Sequence, residues 1–131
     1  MKTFALRLRP GSDLKNELDR FVKENNIRAG NILTCVGSLK KATLRLAGAD
    51  SIKELDEKLE IVSLVGTLSH DGLHLHISLS DREGNTIGGH VKRGCIVYTT
   101  AELLIGENEH LVYSREFDQQ TNFKEINISD R

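Results

Sequence analysis

Imidazole nitrogens bind borderline metal ions and exchange protons near neutral pH. Three of the chain's five histidines fall within GLHLHISLSDREGNTIGGH, residues 72 to 90. His74 and His76 are separated by one residue, and side chains alternate along a strand. Both imidazoles therefore share a face with Ser78 and Ser80, while Leu73, Leu75, Ile77 and Leu79 point to the other side, toward a core. DREGN reads as the loop of a hairpin. With its centre at Glu83, His90 stands opposite His76 and diagonal to His74, and directly opposed Cβ atoms lie about 5 Å apart. Three imidazoles so placed suit Zn²⁺, which binds nitrogen at about 2.0–2.1 Å and in three-histidine sites keeps a fourth position for water or substrate. Gly88 and Gly89 let the backbone bulge or approach closely beside the site. The expectation depends on register, because a slip of one residue sends His90 to the opposite face. Without that register the histidines are solvated strand residues.

The other reactive side chains form no comparable group. His70 in SHDG and His110 at the start of a strand lack partners and read as surface residues. Cys35 and Cys95 have no CxxC spacing and sit in apolar runs, as expected for buried free thiols in a reducing cytoplasm. Cys95 follows His90 by five positions and is excluded from the site as a buried thiol. An enzyme also needs a general acid or base near the metal. Ser78, Ser80, Asp81 and Thr86 are close in sequence but equally well explained as hairpin and turn residues. Arg7, Glu60, Arg115 and Glu116 reach a pocket only through folding, so no catalytic residue is assigned. Gly37–Leu39 reads as a turn between two strands, the alternative being a backbone anion nest. There is no nucleotide-type phosphate loop and no dinucleotide fingerprint.

The elements that must position these residues follow from hydrophobic period. MKTFALRLR alternates Phe4, Leu6 and Leu8 with Thr3, Ala5, Arg7 and Arg9, predicting a half-buried strand ended by Pro10 and Gly11. SDLKNELDRFVKENN carries Leu14, Leu18, Phe21 and Val22 on one helical stripe, with Ser12 or Asp13 as N-cap. NILTCVGS and LKKATLRLAG read as strands, and ADSIKELDEK as a loop or a short helix. The second half predicts five strands: LEIVSLVGTLS, LHLHISLS, TIGGHV, CIVYTTAELLIG and HLVYSREF, punctuated by HDG, DREGN, KRG and ENE. Short turns imply antiparallel neighbours. The expected fold is α+β, a largely antiparallel sheet with one main helix and short flanking helices, in a single domain over residues 1–131. Eighteen Lys and Arg against nineteen Asp and Glu give a net charge of −1, unlike the basic excess of a dedicated nucleic-acid binder. Arg7 and Arg9 interrupt the N-terminal apolar run, and no run approaches membrane-spanning length, so a soluble cytoplasmic chain is expected.

Over nearly its whole length the chain resembles the stand-alone prokaryotic form of the PPC (plant and prokaryote conserved) domain. The likeness is carried by RLRPGSDL, CVGSLKKATLRLA, LEIVSLVGTLS, HLHISLSDREGNTIGGHV and SREFDQQTNFKEI. That resemblance implies an antiparallel sheet with flanking helices, a homotrimer, and a metal, commonly zinc, on histidines matching His74, His76 and His90. It also brings a DNA-binding or transcription-related expectation, since plant members pair the domain with an AT-hook built on Arg-Gly-Arg-Pro. This chain has no such core, and its single proline, Pro10, belongs to the turn before the helix. Its remaining cations, including Arg7 and Arg9, Lys40, Lys41 and Arg45, and Lys92 with Arg93, are scattered. Two function classes follow: a metal-binding module that recognises a small molecule or supplies Lewis-acid chemistry, and a regulatory domain that contacts DNA or protein.

Overall fold

Strand β2 (Gly30–Arg45) is 16 residues long and is the axis of the molecule. The computed structural model describes all 131 residues. Around β2 stand β1 (Lys2–Leu8), β3 (Ile52–Leu55), β4 (Leu59–Ser69), β5 (Gly72–Ser80), β6 (Thr86–Val91) and β7 (Ile96–Glu107), with the helix α1 (Leu14–Glu24) between β1 and β2 in sequence. The sheet order is β1-β7-β2-β4-β5-β6, with β3 attached to β2 and all pairs antiparallel. The N-terminal part of β2 lies between β4 and β7, and its C-terminal end lies between β3 and β6. Because β6 returns to β2 at Leu44↔Val91 and Arg45↔His90, strands β2, β4, β5 and β6 close on one another. This closure brings Arg45 beside the histidine hairpin.

The turn expected at Gly37 and Ser38 is absent, and the two anticipated strands are one. Gly37 has extended backbone (φ 159°), and the sheet comes so near that a Cβ there would collide with the Thr100 carbonyl oxygen. Here glycine serves a close approach between β2 and β7 rather than a reversal, and a register shift beside it absorbs the irregularity.

The helix forms where its apolar stripe predicts. Asp13 is the N-cap: its Oδ1 accepts the Asn16 N–H at 3.0 Å, and its Oδ2 accepts the Gly94 N–H at 2.7 Å. Leu14, Leu18 and Val22 are fully buried in the core with Leu39, Leu44, Leu68, Leu79 and Ile105, each such burial stabilising by about 1.5–3 kcal/mol. Phe21 meets Phe4 of β1 edge-on, centroids 5.8 Å apart. The short flanking helices do not form; α1 is the only helix beside nine strands, so the α+β class holds only loosely and the fold is strand-dominated. Within ADSIKELDEK, Ile52–Leu55 adds an edge strand to β2 instead. It has no apolar stripe to bury as a helix, and pairing with β2 satisfies its backbone groups.

The C-terminal segment folds as a hairpin, β8 (Leu111–Asp118) with β9 (Phe123–Asp130), in a separate two-stranded sheet. β9 was not among the predicted strands. Among the contacts that tie the hairpin down, the Tyr113 N–H donates to the Arg28 carbonyl at 2.8 Å, the Arg115 N–H donates to Asp71 Oδ2 at 2.6 Å, and the Arg131 guanidinium donates to Glu107 Oε2 at 2.8 Å. Glu107 is buried and its Oε2 also accepts the Arg28 N–H at 2.7 Å. No helix is long and apolar enough to cross a membrane.

Candidate metal centre

The β5–β6 loop sets the register of the site. Asp81 Oδ1 accepts the N–H groups of Glu83 and Asn85, both at 2.9 Å, which closes the loop around Glu83. His76 is consequently paired with His90, and His90 is paired on its other side with Arg45, so one row crosses β5, β6 and β2. His74 lies one step along β5, opposite Thr67 of β4. Imidazole centroids are 4.9 Å apart for His74 and His76, 5.4 Å for His74 and His90, and 5.6 Å for His76 and His90. One ring nitrogen from each falls within 4.8 Å of the others. Leu75, Ile77 and Leu79 point into the core, as the alternation requires. Glycine permits the tight backbone: a Cβ on Gly89 would lie 2.9 Å from the Arg45 carbonyl oxygen, and one on Gly88 would lie 2.6 Å from that of Ile77.

The donor set suits a borderline divalent ion. His90 Nδ1 is buried and has no hydrogen-bond partner, and an unpartnered buried nitrogen costs stability unless something else occupies its lone pair or proton. Burial, reinforced by the charge of Arg45, pulls the His90 imidazole down to about 4; burial and the neighbouring His76 and Arg115 also lower His74. These two rings are thus held neutral at pH 7, the form that ligates metal.

A cleft of about 470 Å³ opens over the three rings. Arg45 of β2 lines it, and the C-terminal hairpin supplies Arg115, Phe123, Lys124 and Glu125. Of the candidates that needed folding to reach a pocket, Arg115 borders this cleft. Arg7 instead donates to Thr100 Oγ1 and the Thr99 carbonyl, while Glu60 and Glu116 do not border the cleft. Ser78, Ser80, Asp81 and Thr86 also lie outside its lining, as do His70 and His110. Cys95 is fully buried, its thiol donating to the Thr43 carbonyl at 3.5 Å. The contributions of Asp71, Phe123, Lys124 and Glu125 were missed, and no spacing signal announced them.

Three converging imidazoles on the outer face of a closed antiparallel strand array define a small strand-rich protein with an all-nitrogen site. The profile of the Plants and Prokaryotes Conserved (PCC, or PPC) domain matches residues 1–109, and the chain belongs to that family. The chain is 44% identical over 128 residues to the bifunctional protein GlmU of Synechococcus sp. (strain JA-3-3Ab). That match takes in 98% of this chain but 21% of the relative, so the chain spans about a fifth of the length of the curated protein it matches. Among solved structures, a hypothetical protein from Salmonella enterica superposes with TM-score 0.96 at 42% identity, covering 99% of this chain and 94% of that one. A metal-containing protein from Archaeoglobus fulgidus superposes with TM-score 0.81 at 30% identity, covering 97% and 94%. Structures from Bacteroides thetaiotaomicron and Ralstonia eutropha, provisionally named as DNA-binding, share the fold at 22% and 16% identity.

Proposed function

We propose that this chain is a zinc-binding protein in which His74, His76 and His90 hold one ion per chain, and that it recognises a small molecule in the cleft above them. The observation that carries the reading is the buried, unpartnered Nδ1 of His90 among three imidazoles on one face. A bound zinc ion there would supply a Lewis acid with an open coordination position. The chain's own part is to keep the His74 and His90 rings neutral, to orient all three imidazoles and to shape the cleft. The Archaeoglobus structure is described as metal-containing, which supports a metal at this site. Protein purified without a chelating column should contain about one zinc or similar divalent ion per chain by elemental analysis. Absence of any first-row metal, with no uptake from added zinc, rejects it.

The working form on this reading is a cytoplasmic homotrimer. Leu33, Val36, Val62 and Val65 are exposed on the adjacent central strands β2 and β4, an apolar surface that association would cover. A second reading, a DNA-contacting regulatory domain, draws on the names of the Bacteroides and Ralstonia structures. The net charge of −1 weighs against it.

A further inference from the structure

We propose that the cleft over the histidines receives a small molecule bearing a carboxylate or phosphate, and that Arg45 and Arg115 grip this anionic group while the rest of the molecule faces the imidazoles. The inference deepens the zinc reading and rests on it only for what the far end of the ligand meets.

Cations from three separate strands meet at this cleft: Arg45 from β2, Arg115 from β8 and Lys124 from β9. The ion pairs of the chain employ Arg20, Lys23, Arg93 and Arg131, and none of the three cleft cations takes part in one. Arg115 is positioned without being neutralised. Its Nη2 donates to the Thr67 hydroxyl at 2.9 Å, whereas the Asp71 carboxylate accepts the Arg115 backbone N–H. Arg45 lies over the Phe123 ring, its guanidinium carbon 5.6 Å from the centroid. Stacking of that kind orients the guanidinium plane and leaves its N–H edge available. Asp71 and Glu125 also border the cleft and offset part of the charge, leaving three cations against two carboxylates. Even so, unpaired cations are concentrated at one place on a chain whose net charge is −1.

That concentration is unfavourable by itself. Two guanidinium groups near a metal site repel each other and any divalent ion, and an anion in the same cleft relieves both repulsions. The fork of a guanidinium matches a carboxylate or phosphate edge with two parallel hydrogen bonds. Arg115 and Phe123 lie beyond residue 109, where the family profile ends, so the anion-facing wall is built largely by the C-terminal hairpin.

The test is calorimetric titration of the full chain, zinc-loaded and metal-free, with succinate and with inorganic phosphate. The comparison variants are Arg45→Gln, Arg115→Gln and Arg115→Lys. Zinc content is measured by elemental analysis, and folding by thermal melting. Saturable binding of either anion is expected, weakened at least tenfold in both glutamine variants with zinc content and melting unchanged, and only partly restored by Arg115→Lys. The preferred probe distinguishes a carboxylate ligand from a phosphate one. Failure of both anions to bind saturably in either form, or retention of wild-type affinity by either glutamine variant, overturns the proposal. A chain that takes up no zinc yet loses anion binding in both glutamine variants rejects the metal reading and upholds this one. A chain that loads zinc and binds neither anion does the reverse.

Discussion

His76 is exposed and paired with His90, while its neighbours Leu75 and Ile77 are buried at 2% and 3% exposure. On the zinc reading, metal binding and folding therefore belong to different residues on the same strand. His76→Ala should reduce bound zinc to less than about a tenth of the wild-type content, since three imidazoles around one ion leave no spare ligand. Its thermal transition should remain cooperative. An unfolded His76→Ala chain by circular dichroism would make the metal structural, and undiminished zinc would return the histidines to ordinary solvated residues. Cys35 invites a prediction of the opposite kind. It is 8% exposed, and burial, with the charge of Glu102 nearby, pushes its thiol up to about 11. Only the thiolate is nucleophilic, so at pH 8 about a thousandth of the population is reactive. Thiol labelling of the native chain should be slow at pH 8, faster as pH rises toward 11, and complete in denaturant. Rapid labelling of Cys35 in the folded state would contradict this.

At the scale of elements, Asp13 couples the helix to the sheet. One carboxylate oxygen caps α1 through Asn16, and the other holds the Gly94 N–H in the turn between β6 and β7. Asp13→Ala removes both acceptors and should destabilise the chain by about 1–2 kcal/mol in urea unfolding, the range of a lost N-cap. Asp13→Asn keeps one side-chain oxygen for capping and should cost less. If alanine costs no more than asparagine, the cap to Asn16 contributes nothing to stability; if asparagine costs nothing relative to the wild type, the same holds for the bridge to Gly94. The effect should extend to the site, because the β6–β7 turn follows directly on His90 and Val91, the residues that close β6 onto β2.

For the molecule as a whole, the decisive surface is the exposed apolar group on β2 and β4. On the trimer reading, Val36→Glu or Val62→Glu should shift the protein from three chains to one in light scattering, with the fold retained, because both side chains are more than half exposed in the single chain (58% and 59%). A wild-type monomer, or trimers in both variants, would reject that surface as the interface. The isolated chain should bind duplex DNA only weakly and without sequence preference at about 0.15 M salt, since its net charge is −1 and three cations in one cleft neutralise few phosphates. Sub-micromolar, sequence-selective binding would promote the regulatory reading.

Much of this was legible in order along the chain. Periods of two and of 3.6 residues placed β4, β6 and α1 nearly to the residue, because burying one face of a strand or helix leaves a regular apolar mark. The histidine register was legible for the same local reason: a short loop centred on Glu83 leaves only one way to align His76 with His90. Where long-range packing decided the outcome, local signals failed. Gly37 and Ser38 carry the composition of a turn but lie within β2, since the approach of Thr100 was invisible until β7 was in place. Ile52–Leu55 has no strong strand pattern and takes its conformation from the free edge of β2. The cleft is the clearest case. Arg45, Arg115 and Lys124 are far apart in sequence, and nothing in their spacing relates them to the imidazoles. The helix, the main strands and the three converging histidines could be read along the chain, because those follow from local periodicity and one short loop. That cations surround the histidines could not be read there, because it depends on β6 returning to β2 and on the C-terminal hairpin docking through Asp71, Arg28 and Glu107.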